Sequence, residues 1–314
     1  MAVPGHLAGA VTALAAIFIV RYVIKATSKP RPPKRISPTE ERVLIIGASS
    51  GLGRTLARQY GARGARVCVV ARRSAPLFEL AGECGDKCLP VLADFTDAAA
   101  IGRVRDEISR EWGGLDTMHV CAGVSAVQPV MALTGIGSSE EDAPVAGIRR
   151  AADVAATATE GNFFGPLMAA LTFIPMLKRT SEFPAILLVS SVAAVIPAPT
   201  RALYAATKAA SLLLFQSLAI EHPEIAFTFV LPATIEGNFR SSAVDADPDQ
   251  PMDETNKKGL SQHYVAGRCT DAVDRGLRGN VVIPWVPYGI ARHLYNLWPS
   301  FIEKQARKKY DFTA

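Results

Sequence analysis

Cysteine and histidine are scarce in this chain, and neither is arranged for chemistry. Five cysteines at irregular spacing, an odd number, exclude a disulfide framework and point to a reducing compartment. Cys84 and Cys88 are separated by three residues, with no second Cys or His pair after them. No metal site is therefore expected. The five histidines are scattered, and no Ser/His/Asp or Cys/His spacing stands out. Charge is also modest: 20% of residues, netting +5, with part of the excess in residues 25–35. That excludes neither solubility nor a membrane, but no nucleic-acid partner is read from it. Apolar residues at 49% exclude a disordered chain and suffice for a sizeable core.

Positive charge is missing from residues 1–6, and residues 7–24 are interrupted only by Arg21. As a helix those eighteen residues span about 27 Å, close to the bilayer hydrocarbon thickness. A cleaved signal carries its basic residues before the apolar run. Here Lys25, Lys29, Arg31, Lys34 and Arg35 follow it. The expectation is a retained single-pass anchor over residues 1–24, ahead of a cleaved signal or a buried helix. The positive-inside rule then places everything after it in the cytosol. Pro30, Pro32, Pro33 and Pro38 make residues 25–40 a stiff basic linker.

Globular sequence begins at about Glu41. Val43, Leu44, Ile45 and Ile46 read as a buried parallel strand. The run Gly47-Ala48-Ser49-Ser50-Gly51-Leu52-Gly53 follows at once. A helix-like stretch and a second strand, residues 66–70, complete a βαβ unit. Glycines in its first turn let the backbone approach a pyrophosphate, and the helix N-terminus supplies N–H donors. A purely structural loop is the alternative. After the second strand, where an acidic residue would grip a free ribose, the chain has Ala71, Arg72 and Arg73. Arginine suits a 2′-phosphate, so NADP(H) is expected ahead of NAD(H); arginines merely bordering the strand in solvent are the other reading.

Further strands are expected at residues 90–95, 115–121, 186–189, 226–231 and 281–284, with helices between them. Asp94 ends the third and is placed to hydrogen-bond an adenine amino group. Ala122 and Gly123 follow the fourth, against a cofactor ribose. Asp116 reads as structural. Residues 124–146 form an unusually long loop. Residues 148–177 have helical periodicity, with Asn162 costly in mid-helix. Residues 239–262, with Asp245, Asp247, Asp249, Asp253 and Glu254, read as a mobile polar loop over a site. Beyond residue 284, Trp285, Tyr288, Tyr295 and Trp298 interleave with basic residues. That pattern suits an amphipathic helix at a membrane interface; a core-packed helix with a basic tail is the alternative.

One stretch organises the chain. Ser190 and Ser191 end the fifth strand, and from Ala202 onward the residues suit a helix with Tyr204 and Lys208 on one face. A neighbouring ammonium favours the phenolate, so the spacing predicts a lowered Tyr204 pKa and a proton donor near neutral pH. A surface helix with an ordinary Tyr and Lys fits the same stretch taken alone.

Taken together, residues 42–284 resemble the short-chain dehydrogenase/reductase family. The glycine run 47–53 matches its cofactor signature; Ser191, with Tyr204 thirteen residues later and then Lys208, matches its catalytic motif; and Asn162 matches its fourth catalytic residue. The resemblance implies a Rossmann-like, doubly wound parallel sheet in one domain over residues 41–284, with residues 285–314 as an aromatic and basic extension. It implies Tyr204 as general acid/base, Ser191 polarising the substrate oxygen, Lys208 on the nicotinamide ribose and Asn162 holding a relay water. The cofactor contacts it implies are Gly47, Ser49, Ser50, Gly51, Leu52, Gly53, Arg72, Asp94, Ala122, Gly123, Tyr204, Lys208, Pro232 and Ile235. Two positions depart from the family pattern: Cys121 stands for its Asn, and Ala233 for its Gly.

The anchor, Arg72 and the C-terminal aromatics look like the membrane-associated hydroxysteroid dehydrogenase and lipid-reductase branch. The expected activity is hydride transfer between NADP(H) and a lipophilic ketone or secondary alcohol (steroid, retinoid, long-chain or secondary-metabolite type), at the endoplasmic reticulum membrane. Family members often form homodimers or homotetramers. A catalytically silent, membrane-tethered nucleotide-binding scaffold is the alternative from another class.

Overall fold

The computed structural model describes residues 36–136, 141–241, 243–246 and 259–312. The expected anchor, most of the linker, and Asp247, Asp249, Asp253 and Glu254 lie outside them. Seven strands form one all-parallel sheet in the order β3-β2-β1-β4-β5-β6-β7. They are β1 (Arg42–Ile46), β2 (Arg66–Ala71), β3 (Cys88–Leu92), β4 (Thr117–Val120), β5 (Ala185–Val189), β6 (Ala226–Pro232) and β7 (Gly279–Ile283). Continuous apolar runs such as Ile186-Leu187-Leu188-Val189 are what a sheet covered on both faces requires.

The two faces are packed by alternate residues of the same strands. Val43 and Ile45 of β1 face one core layer, with Leu56 and Tyr60 of α1 (Gly51–Ala62), Leu77 and Leu80 of α2 (Ser74–Cys84), and Val265 and Cys269 of α7 (Gln262–Asp274). Leu44 and Ile46 face the other. There they meet Val104 and Ile108 of α3 (Ala98–Trp112), Phe173 and Leu177 of α5 (Gly165–Thr180), and Leu212 and Phe215 of α6 (Ala202–Glu221). The result is a doubly wound Rossmann-like domain, as expected.

At the N-terminal ends of β1 and β4, Asp116 accepts two bonds of 2.8 Å from the Arg42 guanidinium and one of 3.0 Å from its backbone N–H. Burial pushes the Asp116 carboxyl up, but Arg42 and the Ser181 side chain together outweigh this and leave it lowered. Asp116 is a clamp between strands, in keeping with its structural reading.

Three local features differ from the pattern read in the sequence. The long helical run is broken: α4 (Val145–Thr159) passes through a π-helical turn at Glu160–Phe164 before α5 begins. That turn carries Asn162. Asp245, read as part of a polar loop over the site, is buried and accepts from Val127 N–H and Gln128 N–H. It ties the residue 243–246 segment to the long loop after β4. The C-terminal part is mixed: Trp285 and Tyr288 of α8 (Trp285–Leu297) pack against the core. Trp298, the N-cap of α9 (Pro299–Tyr310), and Phe301 on its first turn have ring centroids 5.0 Å apart and remain exposed.

Candidate active site

The chain leaves β1 outward through β2 and β3, then returns to β4 on the opposite side of β1. This reversal opens a crevice at the carboxyl ends of β1 and β4, the place where open α/β sheets bind ligands. Gly47 sits there with φ +88, and a Cβ on it would lie 2.5 Å from the Ala122 nitrogen. Ser50 is the N-cap of α1 in extended conformation. Its side chain makes no capping bond, and the first helical turn has no acidic residue. A Cβ on Gly51 would meet nothing within 4 Å, so the space before the helix N-terminus is open. Free N–H groups, a positive dipole end and an unobstructed approach fit a pyrophosphate.

At the end of β2 the two arginines separate in role. Arg73 donates to Ser49 Oγ at 3.0 Å and Ser50 Oγ at 2.8 Å, bracing the glycine loop. Arg72 is exposed and lies 3.6 Å from Asp94. Asp94 also accepts from Thr96 N–H and Oγ1. Burial pushes its carboxyl up, but the Thr96 bonds and Arg72 outweigh this and leave it lowered.

The four expected catalytic residues come from three places in the sequence. Ser191 follows β5 and caps a short 3-10 turn by accepting from Ala193 N–H at 3.1 Å. Tyr204 and Lys208 lie on the first turns of α6, both buried. Lys208 Nζ donates to Val189 O at 3.2 Å, crossing to the end of β5. A Cβ on Gly123 would come 3.0 Å from that Nζ and 2.8 Å from Asn162 Oδ1, so the glycine makes room for both. Asn162 is fully buried. It accepts from Val124 N–H at 2.9 Å and donates to Val124 O and Thr207 Oγ1, each at 3.0 Å. Its polarity is therefore accounted for: it pins the loop after β4 to α6. Thr207 was not singled out in the sequence, although its position just before Lys208 in an apolar helix is a signal.

The expected lowering of the Tyr204 pKa is not what the structure gives. Burial pushes the phenol up. The Arg201 guanidinium and the nearby Ser191 hydroxyl pull it back only in part. Lys208 turns toward the β5 carbonyl, and burial lowers its own pKa to about 8. The cation against the ring is Arg201, whose Cζ is 4.5 Å from the Tyr204 centroid. Phe239 meets the same ring edge-on at 6.1 Å. Spacing alone favoured Lys208 because it counts helical neighbours and takes no account of burial or of the residue before the helix.

The remaining expected contacts lie along the same edge of the sheet. Pro232 ends β6, and Ile235 forms a parallel bridge with Leu260. Ser190, at the end of β5, has a buried Oγ with no hydrogen-bond partner among the described residues. Ser190 directly follows Val189, whose carbonyl receives Lys208 Nζ, and an orphan hydroxyl there fits a bound polar ligand such as a nicotinamide nucleoside.

Comparison with known proteins accords with this geometry. The family model for short chain dehydrogenases matches residues 41–247. Dehydrogenase/reductase SDR family member 7B of Bos taurus is 30% identical over 284 residues, covering 85% of this chain and 82% of that protein. The 11-beta-hydroxysteroid dehydrogenase-like 4A of Arabidopsis thaliana is 29% identical over 248 residues, covering 77% of this chain and 75% of that one. Among solved structures, a short chain dehydrogenase/reductase from Burkholderia phymatum in complex with NAD has a TM-score of 0.70 at 19% identity, over 84% of this chain and 96% of that one.

Proposed function

The chain belongs to the short-chain dehydrogenase family, oxidoreductases acting between alcohols and carbonyls, and from that premise we propose that it is an NADP(H)-dependent reductase of lipophilic ketones, or the reverse dehydrogenase. The observation that carries the reading is the buried Tyr204 hydroxyl beside Ser191, with Lys208 one turn behind it. A nicotinamide cofactor, when bound, supplies or accepts the hydride at the carbonyl carbon. Ser191 orients the substrate oxygen. Tyr204 gives that oxygen its proton as negative charge develops there. Lys208 holds the nicotinamide ribose, and Asn162 keeps the loop and helix in register through Val124 and Thr207.

Arg72 favours a 2′-phosphate, with Arg73, braced on Ser49 and Ser50, as a helper. The test is turnover of a panel of lipophilic ketones with NADPH and with NADH. NADPH is expected to be preferred. Removing both charges in R72A/R73A should cut the preference about 10- to 100-fold, as loss of charge-assisted bonds does. A wild-type preference for NADH, or an unchanged ratio in the variant, would sink the assignment. NADPH binding with no ketone reduced would favour the silent scaffold.

Residues 1–24 are proposed to anchor the chain in the endoplasmic reticulum membrane, with Trp298 and Phe301 touching its surface. Residues 41–314 should then be digested by protease added to intact microsomes; their protection would refute a cytosolic domain.

A further inference from the structure

Arg201 is a charge that the fold largely buries with no ion-pair partner among the described residues. It is the residue before α6 and only 7% exposed. Thr200, just before it, adopts φ +60, a region that β-branched residues seldom enter. Arg201 makes one hydrogen bond among the described residues, from Nη1 to Ser125 Oγ at 3.1 Å. No described carboxylate lies within 4.0 Å of it. Asp245 acts on it electrostatically, but the Asp245 oxygens are already taken by the Val127 and Gln128 N–H groups. Arg240 adds positive charge near both Arg201 and Tyr204.

Stacking on the Tyr204 ring holds the cation in place. Only Nη1 has a hydrogen-bond partner among the described residues, and Nε and Nη2 are not sealed from solvent. Open donors on a mostly buried cation point to a partner that arrives from outside. The cofactor's phosphates are provided for at the other end of the crevice, by the α1 N-terminus and the β2 arginines. A substrate, by contrast, must come to Tyr204, and Arg201 lies 4.5 Å from that ring. Phe239 presents an apolar wall on the same ring.

We propose that Arg201 binds an anionic group of the substrate, a phosphate or carboxylate a few bonds from the reacting carbonyl, so that the substrate is a charged amphiphile. This rests on Tyr204 being the reacting centre. It adds a requirement that a neutral steroid or retinoid ketone does not meet. Arg201 presents a planar fork suited to either oxyanion.

Two measurements test it. The first is binding to the NADPH-loaded protein, followed by nicotinamide fluorescence, of two non-reactive probes, a long-chain alkyl phosphate and a long-chain carboxylate, against the matching neutral alcohol. One anionic probe should bind at least about 30-fold more tightly than the alcohol, the value of one charge-assisted contact. Which anion wins identifies the headgroup. In R201Q that selectivity should vanish, and R201K should restore part of it. The second is the ratio of kcat/KM for a long-chain hydroxyketone phosphate over the free hydroxyketone, and for a keto acid over its methyl ester. R201Q should lower the favoured ratio about 30-fold, whatever it does to the common rate. Equal binding of charged and neutral probes by the wild-type protein would overturn the proposal, even if R201Q failed to fold. Selective anion binding without reduction of any ketone would uphold the site and overturn the reductase reading instead.

Discussion

Tyr204→Phe should still bind NADPH and lose ketone reduction by about 100- to 10,000-fold, the range removed with a general acid. The substitution keeps the ring, and with it the Arg201 stack and the Phe239 edge contact. Only the hydroxyl goes, and with it the influence of the Ser191 side chain on it. A fall in rate with the protein saturated by NADPH therefore isolates proton transfer, and undiminished turnover would exclude Tyr204 from the chemistry. The direction of the Tyr204 shift adds a pH dependence. Burial raises the phenol, so in the cofactor-free protein its protonated form persists above its ordinary range. As a proton donor it is ready throughout neutral pH, and reduction should be flat there. Alcohol oxidation needs the phenolate and should climb as pH rises. An oxidation rate that fell with rising pH in the neutral range would contradict this.

Much of the site was readable before the fold, for a physical reason. The glycine run, Ser191, Tyr204 and Lys208 occupy positions where the backbone leaves little choice: a tight turn, a strand end, one face of a helix. Spacing records such constraints. Asn162 was readable as an anomaly, a polar residue in mid-helix, but its explanation needed the π turn and a partner, Thr207, that is 45 residues distant. Arg201 was invisible because its importance lies in having no carboxylate partner among the described residues, which only their positions in the fold reveal. Asp245 was misread for a related reason. In sequence it belongs to an acidic, polar run, whereas in the fold two backbone N–H groups of a distant loop claim its carboxylate. The Tyr204 pKa shows the limit of pairwise reasoning. The i, i+4 lysine was real, but burial was larger and of opposite sign.

Gly47→Ala and Gly51→Ala should separate what the glycine loop does for the fold from what it does for the cofactor. Both glycines have positive φ, +88 and +56, so an alanine at either costs about 1–2 kcal/mol in backbone strain. Their surroundings differ. A Cβ on Gly47 would stand 2.5 Å from the Ala122 nitrogen and 2.6 Å from its Cα. That backbone cannot step aside, because Ala122 N–H and Cys121 N–H both donate to Ile46 O, and Gly47 N–H donates to Val70 O. Relief would require parting β1 from β4 at the crevice. We expect Gly47→Ala to lose about 4 kcal/mol in all and to lower Tm by about 10 °C. At Gly51 nothing lies within 4 Å of the added carbon, so stability should fall only by the strain. The methyl would instead occupy the space through which a pyrophosphate reaches the α1 N–H groups, and NADPH affinity should drop about 10-fold or more. Thermal unfolding and NADPH titration of the two variants read the contrast directly. Unchanged NADPH affinity in Gly51→Ala would remove the loop from cofactor binding, and a small Tm change in Gly47→Ala would mean that the β1–β4 junction is looser than the Gly47–Ala122 contact requires.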